Sequence, residues 1–201
     1  ENIYDDTDFD RLEQYCGEAY FARALAYSEL IKLFCKAYEN DEEAANELGV
    51  VIKKDYYKTD SLSRASLKDS YAFVIADLER AEDLLQLTDE DDSYTFYSSP
   101  YFSIYTVYAL RARVALYMKD YDNAIKYSTL LIESGEFALS TANTPYTTLT
   151  DYLSMTNKQI SYYEYMWRYN LSTESIWQVG FTTTAYGGAL GSVFFNWDYQ
   201  S

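Results

Sequence analysis

Histidine is absent from the 201 residues. With it go the Ser-His-Asp and Cys-His nucleophiles, the histidine-containing zinc signatures and the commonest general base near neutral pH. Any enzymatic activity must therefore rest on carboxylates, tyrosine or lysine. Positive charge is scarce, with 16 Lys and Arg against 32 Asp and Glu for a net charge of −16. Without a basic stripe to displace counterions from phosphates, nucleic acid is excluded as a partner and anionic lipid is disfavoured. The two cysteines, Cys16 and Cys35, lie in or beside one expected helix. At about 1.5 Å per residue they stand roughly 28 Å apart, beyond disulfide reach. No run of about 18 apolar residues occurs. Glu1 to Asp10 is acidic and has no signal-peptide core, and Gln14-Tyr15 before Cys16 is not a lipid-anchor context. The expectation is either a cytoplasmic protein or a chain whose export segment lies outside these residues.

The acidic lead carries Asp5, Asp6, Asp8 and Asp10 with the alternation of a calcium loop. Counting from Asp6, however, Arg11 stands where such a loop needs glycine and Gly17 where it needs a carboxylate. A solvated acidic entry into the first helix is expected instead, where carboxylates suit the positive end of the dipole. No metal or other cofactor is called for.

What is abundant is helical periodicity. Tyr101 to Leu139 reads as two helices and a turn, densely apolar from Ile104 to Leu116, with Ile125, Ser128, Leu131 and Ile132 following at helical spacing. Ser99 and Pro100 suit its start, and Gly135 a left-handed stop. Ala112 and Ala124, twelve residues apart, match the small positions that let the backbones of a tetratricopeptide hairpin approach. Upstream, Leu12 to Phe34 carries Tyr15, Ala19, Ala22, Ala26, Leu30 and Leu33 on one stripe, expected to face Leu67 to Leu87. That second helix repeats apolar residues at Leu67, Tyr71, Val74, Ile75, Leu78, Ala81 and Leu85 behind a capping pair, Ser66 and Asp69. The excursion between them, residues 36–65, is longer than a hairpin turn, and such loops often carry binding function. After Leu139, residues 140–150 are rich in Thr, Ser and Asn and are expected to form a surface loop. A short helix is expected near Leu149 to Met155 and a strand over Ser175 to Thr182, with an irregular glycine-marked end.

Several blocks resemble the SusD/RagB family. Gly17-Glu18-Ala19-Tyr20-Phe21-Ala22-Arg23-Ala24-Leu25-Ala26-Tyr27 is similar to its GEAxFLRAxAY helix. Phe34 to Tyr38 resembles its YGxPY turn, and Gly49-Val50-Val51-Ile52 its GVPL. Arg64 to Leu67, with Tyr71, Ile75, Asp77-Leu78 and Ala81, resembles RxTVxxxYxxIxxDLxxA. Ala109 to Met118 is similar to ALLARVYLYM, and Ser172 to Trp177 to NxExIF. Cys35, Ala37 and Val51 depart from the pattern. The resemblance implies a mainly α fold of tetratricopeptide-like hairpins forming an α/α superhelix. The scaffold would span 11–139, with the 36–65 excursion, and a strand-containing part, 140–201, would pack on it. It further implies a glycan-binding, non-catalytic lipoprotein on a Bacteroidetes-type outer membrane, serving a SusC-like TonB-dependent transporter. Family members are more than twice this length, so the chain is expected to be part of a longer protein, with the lipid anchor outside it.

With 24 Tyr and 3 Trp, aromatic faces are available for the C–H faces of sugar rings. Tyr15, Tyr20, Tyr71, Tyr105, Tyr108, Tyr117 and Tyr121 sit at helical spacing and are expected to pack. The glycan-binding candidates are on expected loops: Tyr38 with Asn40, Trp167, Tyr186 and Trp197. Two alternatives compete with glycan binding. A tetratricopeptide adaptor would need more regular repeats and short turns. A glycoside hydrolase would need a carboxylate pair about 5 to 9.5 Å apart, for which Glu164 or Glu174 could be proposed.

Overall fold

The computed structural model describes residues 6–54, 63–85, 102–139, 145–151, 156–161, 163 and 173–177. Five helices, α1 (Asp6–Phe34), α2 (Asp41–Asn46), α3 (Leu67–Leu84), α4 (Ile104–Tyr117) and α5 (Tyr121–Glu133), precede two strands, β1 (Pro145–Asp151) and β2 (Thr156–Ser161). Helix α3 follows its pattern closely. The Ser66 hydroxyl accepts from the Asp69 N–H at 3.0 Å and donates to the Asp69 carboxylate at 2.8 Å, which fixes the first turn. Leu67, Tyr71, Val74, Leu78, Ala81 and Leu85 are all buried, and Ile75 packs against them half-buried.

Helix α1 lies along α3, but on a different face from the expected one. Phe21, Ala24, Ser28 and Ile31 are buried, whereas Tyr15, Ala19, Ala22, Ala26, Leu30 and Leu33 are exposed. At 100° per residue the two sets lie on opposite sides of the helix, so a 3.6-residue period fits both. Gly17 is what brings the helices together, since a Cβ there would lie 2.7 Å from Leu85 Cγ and 3.1 Å from Leu84 Cβ. Between α1 and α3 the Arg23 guanidinium holds Asp77 with two bonds, 2.7 and 2.8 Å. The guanidinium carbon also lies over the rings of Tyr20 and Phe73, 5.4 and 5.1 Å from their centroids. The Asp77 hydrogen bond raises the Arg23 pKa further.

Helices α4 and α5 form the second antiparallel pair. Ser103 precedes α4, with its N–H donating to Thr106 Oγ1 at 3.1 Å; the expected cap, Ser99-Pro100, lies outside the described residues. Ile104, Tyr105, Val107, Leu110, Val114 and Ala115 are buried, but Leu116 is exposed. The turn is a Schellman closure: Asp120 N–H reaches Ala115 O at 2.9 Å and Lys119 N–H reaches Leu116 O at 3.1 Å. Lys119 takes the left-handed position at φ 61°. Asp120 then caps α5 by accepting from Asn123 N–H. Tyr127 carries the burial of α5, while Ile125 and Ile132, expected to pack, are exposed. Gly135 adopts the expected left-handed conformation, φ 73°.

β1 corrects the expected loop over residues 145–150 and the start of the expected helix, while residues 140–144 and 152–155 lie outside the described residues. β1 and β2 pair antiparallel from Pro145↔Ser161 to Asp151↔Thr156 with an irregularity at Pro145/Thr147. Pro145 is tolerated because it opens the strand, and the β-branched Thr147, Thr148 and Thr150 favour a pleated conformation. Of the expected strand over Ser175 to Thr182, residues 175–177 are not extended in a ladder; the rest lies outside the described residues. Cys16 and Cys35 are free thiols, as the length of α1 requires. Among the described residues no helix is long and apolar enough to cross a membrane.

Candidate functional site

Tyr38 is an internal residue rather than a surface platform. It is 4% exposed, packs edge-on to Tyr71 with centroids 5.3 Å apart, and donates its hydroxyl to Asp41 Oδ1 at 2.7 Å. Burial first, and then the Asp41 hydrogen bond, push its pKa up to about 12. The sequence left this hidden because an aromatic between two helices can point into the core or out of it. Asn40 is exposed but engaged as the N-cap of α2: Oδ1 accepts from Glu43 N–H at 2.9 Å and Nδ2 donates to Glu43 Oε1 at 3.0 Å. Trp167, Tyr186 and Trp197 lie outside the described residues, as does Glu164. Glu174 is exposed.

The excursion is anchored at both ends. Tyr38, Ala44 and Val50 are buried in the α1–α3 core. Its return segment runs beside the entry to α3, with Gly49 N–H to Ala65 O at 2.8 Å, Ala65 N–H to Val50 O at 2.9 Å and Leu67 N–H to Glu47 O at 2.8 Å. Gly49 is required by this contact, since a Cβ would sit 2.0 Å from Ser70 Oγ and 2.4 Å from Ser66 O. Lys68 bonds Asp41 at 2.7 Å and, together with Tyr38, lowers the Asp41 pKa.

This anchoring carries the excursion to the α4–α5 turn, where Glu39 bonds Lys119. The end of the scaffold so formed presents aromatics that periodicity assigned to packing: Tyr117 is 49% and Tyr121 60% exposed. The Lys32 ammonium lies 5.6 Å from the Tyr117 centroid. Glu39 holds Lys119 charged and raises its pKa, with Tyr121 contributing a smaller effect. Aromatic faces next to a carboxylate and two ammonium groups can stack on and hydrogen-bond a polyol. That Lys119 occupies a left-handed position, where glycine is the usual choice, marks the same turn. The signal available in the sequence was the turn itself, because side chains flanking a tight helix–helix turn have no neighbour on the outside.

Two small cavities lie among the described residues, about 40 Å³ beside Arg111 and Tyr127 and about 10 Å³ beside Tyr71 and Tyr117. A water needs about 10–15 Å³, so neither admits a sugar ring. Every buried side-chain polar atom among the described residues has a hydrogen-bond partner. No described group of three or more Cys, Asp or Glu is arranged to hold a metal ion. Arg111, between α3 and α4, is consumed by Glu82 and Glu79 and by the Tyr127 ring 4.4 Å away.

Paired helices and a clamped excursion form a helical scaffold, and comparison with known proteins places the chain in the SusD-like class. Residues 1–116 match the SusD-like family model described as starch-binding and associating with the outer membrane; the chain belongs to this family. A SusD-like protein of Formosa agariphila is 31% identical over 134 residues, 64% of this chain and 22% of its own. A SusD superfamily protein of Bacteroides thetaiotaomicron superposes with a TM-score of 0.67 at 24% identity, covering 92% of this chain and 35% of that one. A SusD-like carbohydrate binding protein of Bacteroides vulgatus gives 0.53 at 20% identity, covering 69% and 27%. At these identities the solved structures establish the tetratricopeptide-like helical fold. The chain spans about a third of the first solved relative's length and about a fifth of the curated relative's.

Proposed function

We propose that this chain is part of a cell-surface lipoprotein that captures a polysaccharide or oligosaccharide and presents it to a SusC-like TonB-dependent transporter of the outer membrane. The observation that carries the proposal is the family match over residues 1–116, whose description couples starch binding with the outer membrane. Tyr117 and Tyr121, flanking Lys119, support it as an open, stacking surface, and Trp167, Tyr186 and Trp197 are proposed to add contacts from the C-terminal part. Binding without turnover is part of the same proposal, and the family description, which names starch binding, supports it. Affinity electrophoresis in gels containing starch or other polysaccharides tests capture, and a reducing-end assay on the same mixtures tests turnover. Retardation by at least one polysaccharide with no accumulation of reducing ends is expected. Sustained release of reducing ends would replace the proposal with a carboxylate hydrolase.

A further inference from the structure

Arg64 has no part in the stacking surface, yet it has the most connected side chain among the described residues of the excursion. Its Nε donates to Gly49 O at 2.6 Å, and Nη2 reaches Phe34 O and Leu48 O, both at 3.2 Å, with Cys35 Sγ 3.9 Å away. Phe34 is the last residue of α1. Its carbonyl is one of the four that a helix end leaves without an internal partner, and Cys35-Lys36 supplies no glycine to close the end on itself. A guanidinium is suited to this position, because its donors diverge in one plane and its charge complements the negative end of the helix dipole. Among the described residues it is provided from 30 positions away in sequence.

We infer that Arg64 is the positioning residue of the aromatic end: it caps α1 from a distance and locks the return of the excursion to that cap, so that Glu39 is delivered to Lys119. The ion pairs that otherwise tie the excursion down, Lys36–Glu47, Lys68–Asp41 and Lys119–Glu39, are solvent-exposed, and such pairs hold little by themselves. The buried Tyr38, Ala44 and Val50 keep the excursion on the core when the clamp is removed. Loss of Arg64 therefore loosens the path between these anchors without unfolding the helical pairs. The consequence for ligand binding rests on the proposed glycan surface; the clamp itself does not.

Hydrogen exchange on the wild-type chain and on Arg64→Met and Arg64→Lys decides it. In Arg64→Met, exchange at residues 47–54 and at the α4–α5 turn, 118–121, is expected to rise roughly tenfold or more, with α3 and the centre of α4 unchanged. Arg64→Lys, with one ammonium in place of a fork, is expected to fall between. Unchanged exchange in the excursion, or an equal rise across α3 and α4, overturns the inference. Polysaccharide titration of the same samples is the second arm. A weakened affinity in Arg64→Met is expected, and full affinity despite a loosened excursion also overturns the positioning role. If the wild type binds no polysaccharide, the functional proposal fails while exchange still decides the clamp.

Discussion

Gly49→Ala is expected to be the most damaging of the glycine substitutions. The added methyl would lie 2.0 Å from Ser70 Oγ, 2.4 Å from Ser66 O and 2.8 Å from Ser66 C. Two of these atoms are backbone at the cap of α3 and cannot rotate away, and the third is committed, since Ser70 Oγ donates to Ser66 O and accepts from Val50 N–H. The excursion must therefore recede by about 1 Å. It loses the Gly49 N–H bond to Ala65 and the Val50 N–H bond to Ser70, each worth roughly 1 kcal/mol, and overpacking adds about 1–3 kcal/mol. Stiffening of the unfolded chain returns about 0.4–1 kcal/mol. The net loss is about 3 kcal/mol. At Gly17 the clash falls on the side chains of Leu85 and Leu84, and helix propensity returns about 1 kcal/mol, leaving a smaller loss. At Gly135 a Cβ meets nothing, and only the positive φ of 73° counts, about 1–2 kcal/mol. Urea unfolding of the three variants gives the ranking. A Gly49→Ala loss no larger than that of Gly135→Ala would refute the close approach of excursion and α3.

Other perturbations separate the remaining parts of the scaffold. Arg23→Met strands Asp77, whose side chain is 5% exposed, and is expected to cost about 3–5 kcal/mol. Arg23→Met with Asp77→Leu should recover much of this in denaturant unfolding. Tyr38 and Tyr71 both have pKa values pushed up to about 12, chiefly by burial. The folded state thus keeps protons that the unfolded chain releases near pH 10, and stability is full below about pH 10 and lost as pH rises toward about 12. Tyr71→Phe should flatten that decline in unfolding midpoints measured across this range. Ile125→Ser and Ile132→Ser, on the outer face of α5, should each change stability by no more than about 0.5 kcal/mol, in contrast to Val74→Ala in the core.

Where a cap and a single apolar stripe coincide, as in α3 with Ser66, Asp69 and Leu67 to Leu85, the helix and its buried face are both legible in the sequence. The α1 face is not, because Tyr15 to Leu33 and Phe21 to Ile31 share one period on opposite sides. Only the tertiary requirement at Gly17 breaks the tie. In α5 the same ambiguity hid Tyr127 behind Ile125 and Ile132. The threonine-rich strand β1 lacks the hydrophobic alternation that would distinguish it from a loop, leaving β-branching at Thr147, Thr148 and Thr150 as its sole signal. The site follows the same logic: loop aromatics were expected outside and helical ones inside, but Tyr38 is pulled in by Tyr71 and Asp41, and Tyr117 and Tyr121 are left out by the turn they flank. The family resemblance survives these errors because it rests on core and capping positions, which bear on fold before they bear on ligand.

The central claim is that saccharide is held on the open aromatic end without being cleaved. Isothermal titration of a retained oligosaccharide into the wild type and Tyr117→Ala/Tyr121→Ala, with melting curves and reducing-end assays on the same samples, tests it most directly. The double variant is expected to keep its melting temperature and to lose about 1 kcal/mol of binding per stacking ring, roughly thirtyfold in Kd for the two rings, with no reducing ends released by either protein. Wild-type affinity in the double variant, or accumulating reducing ends, would contradict it.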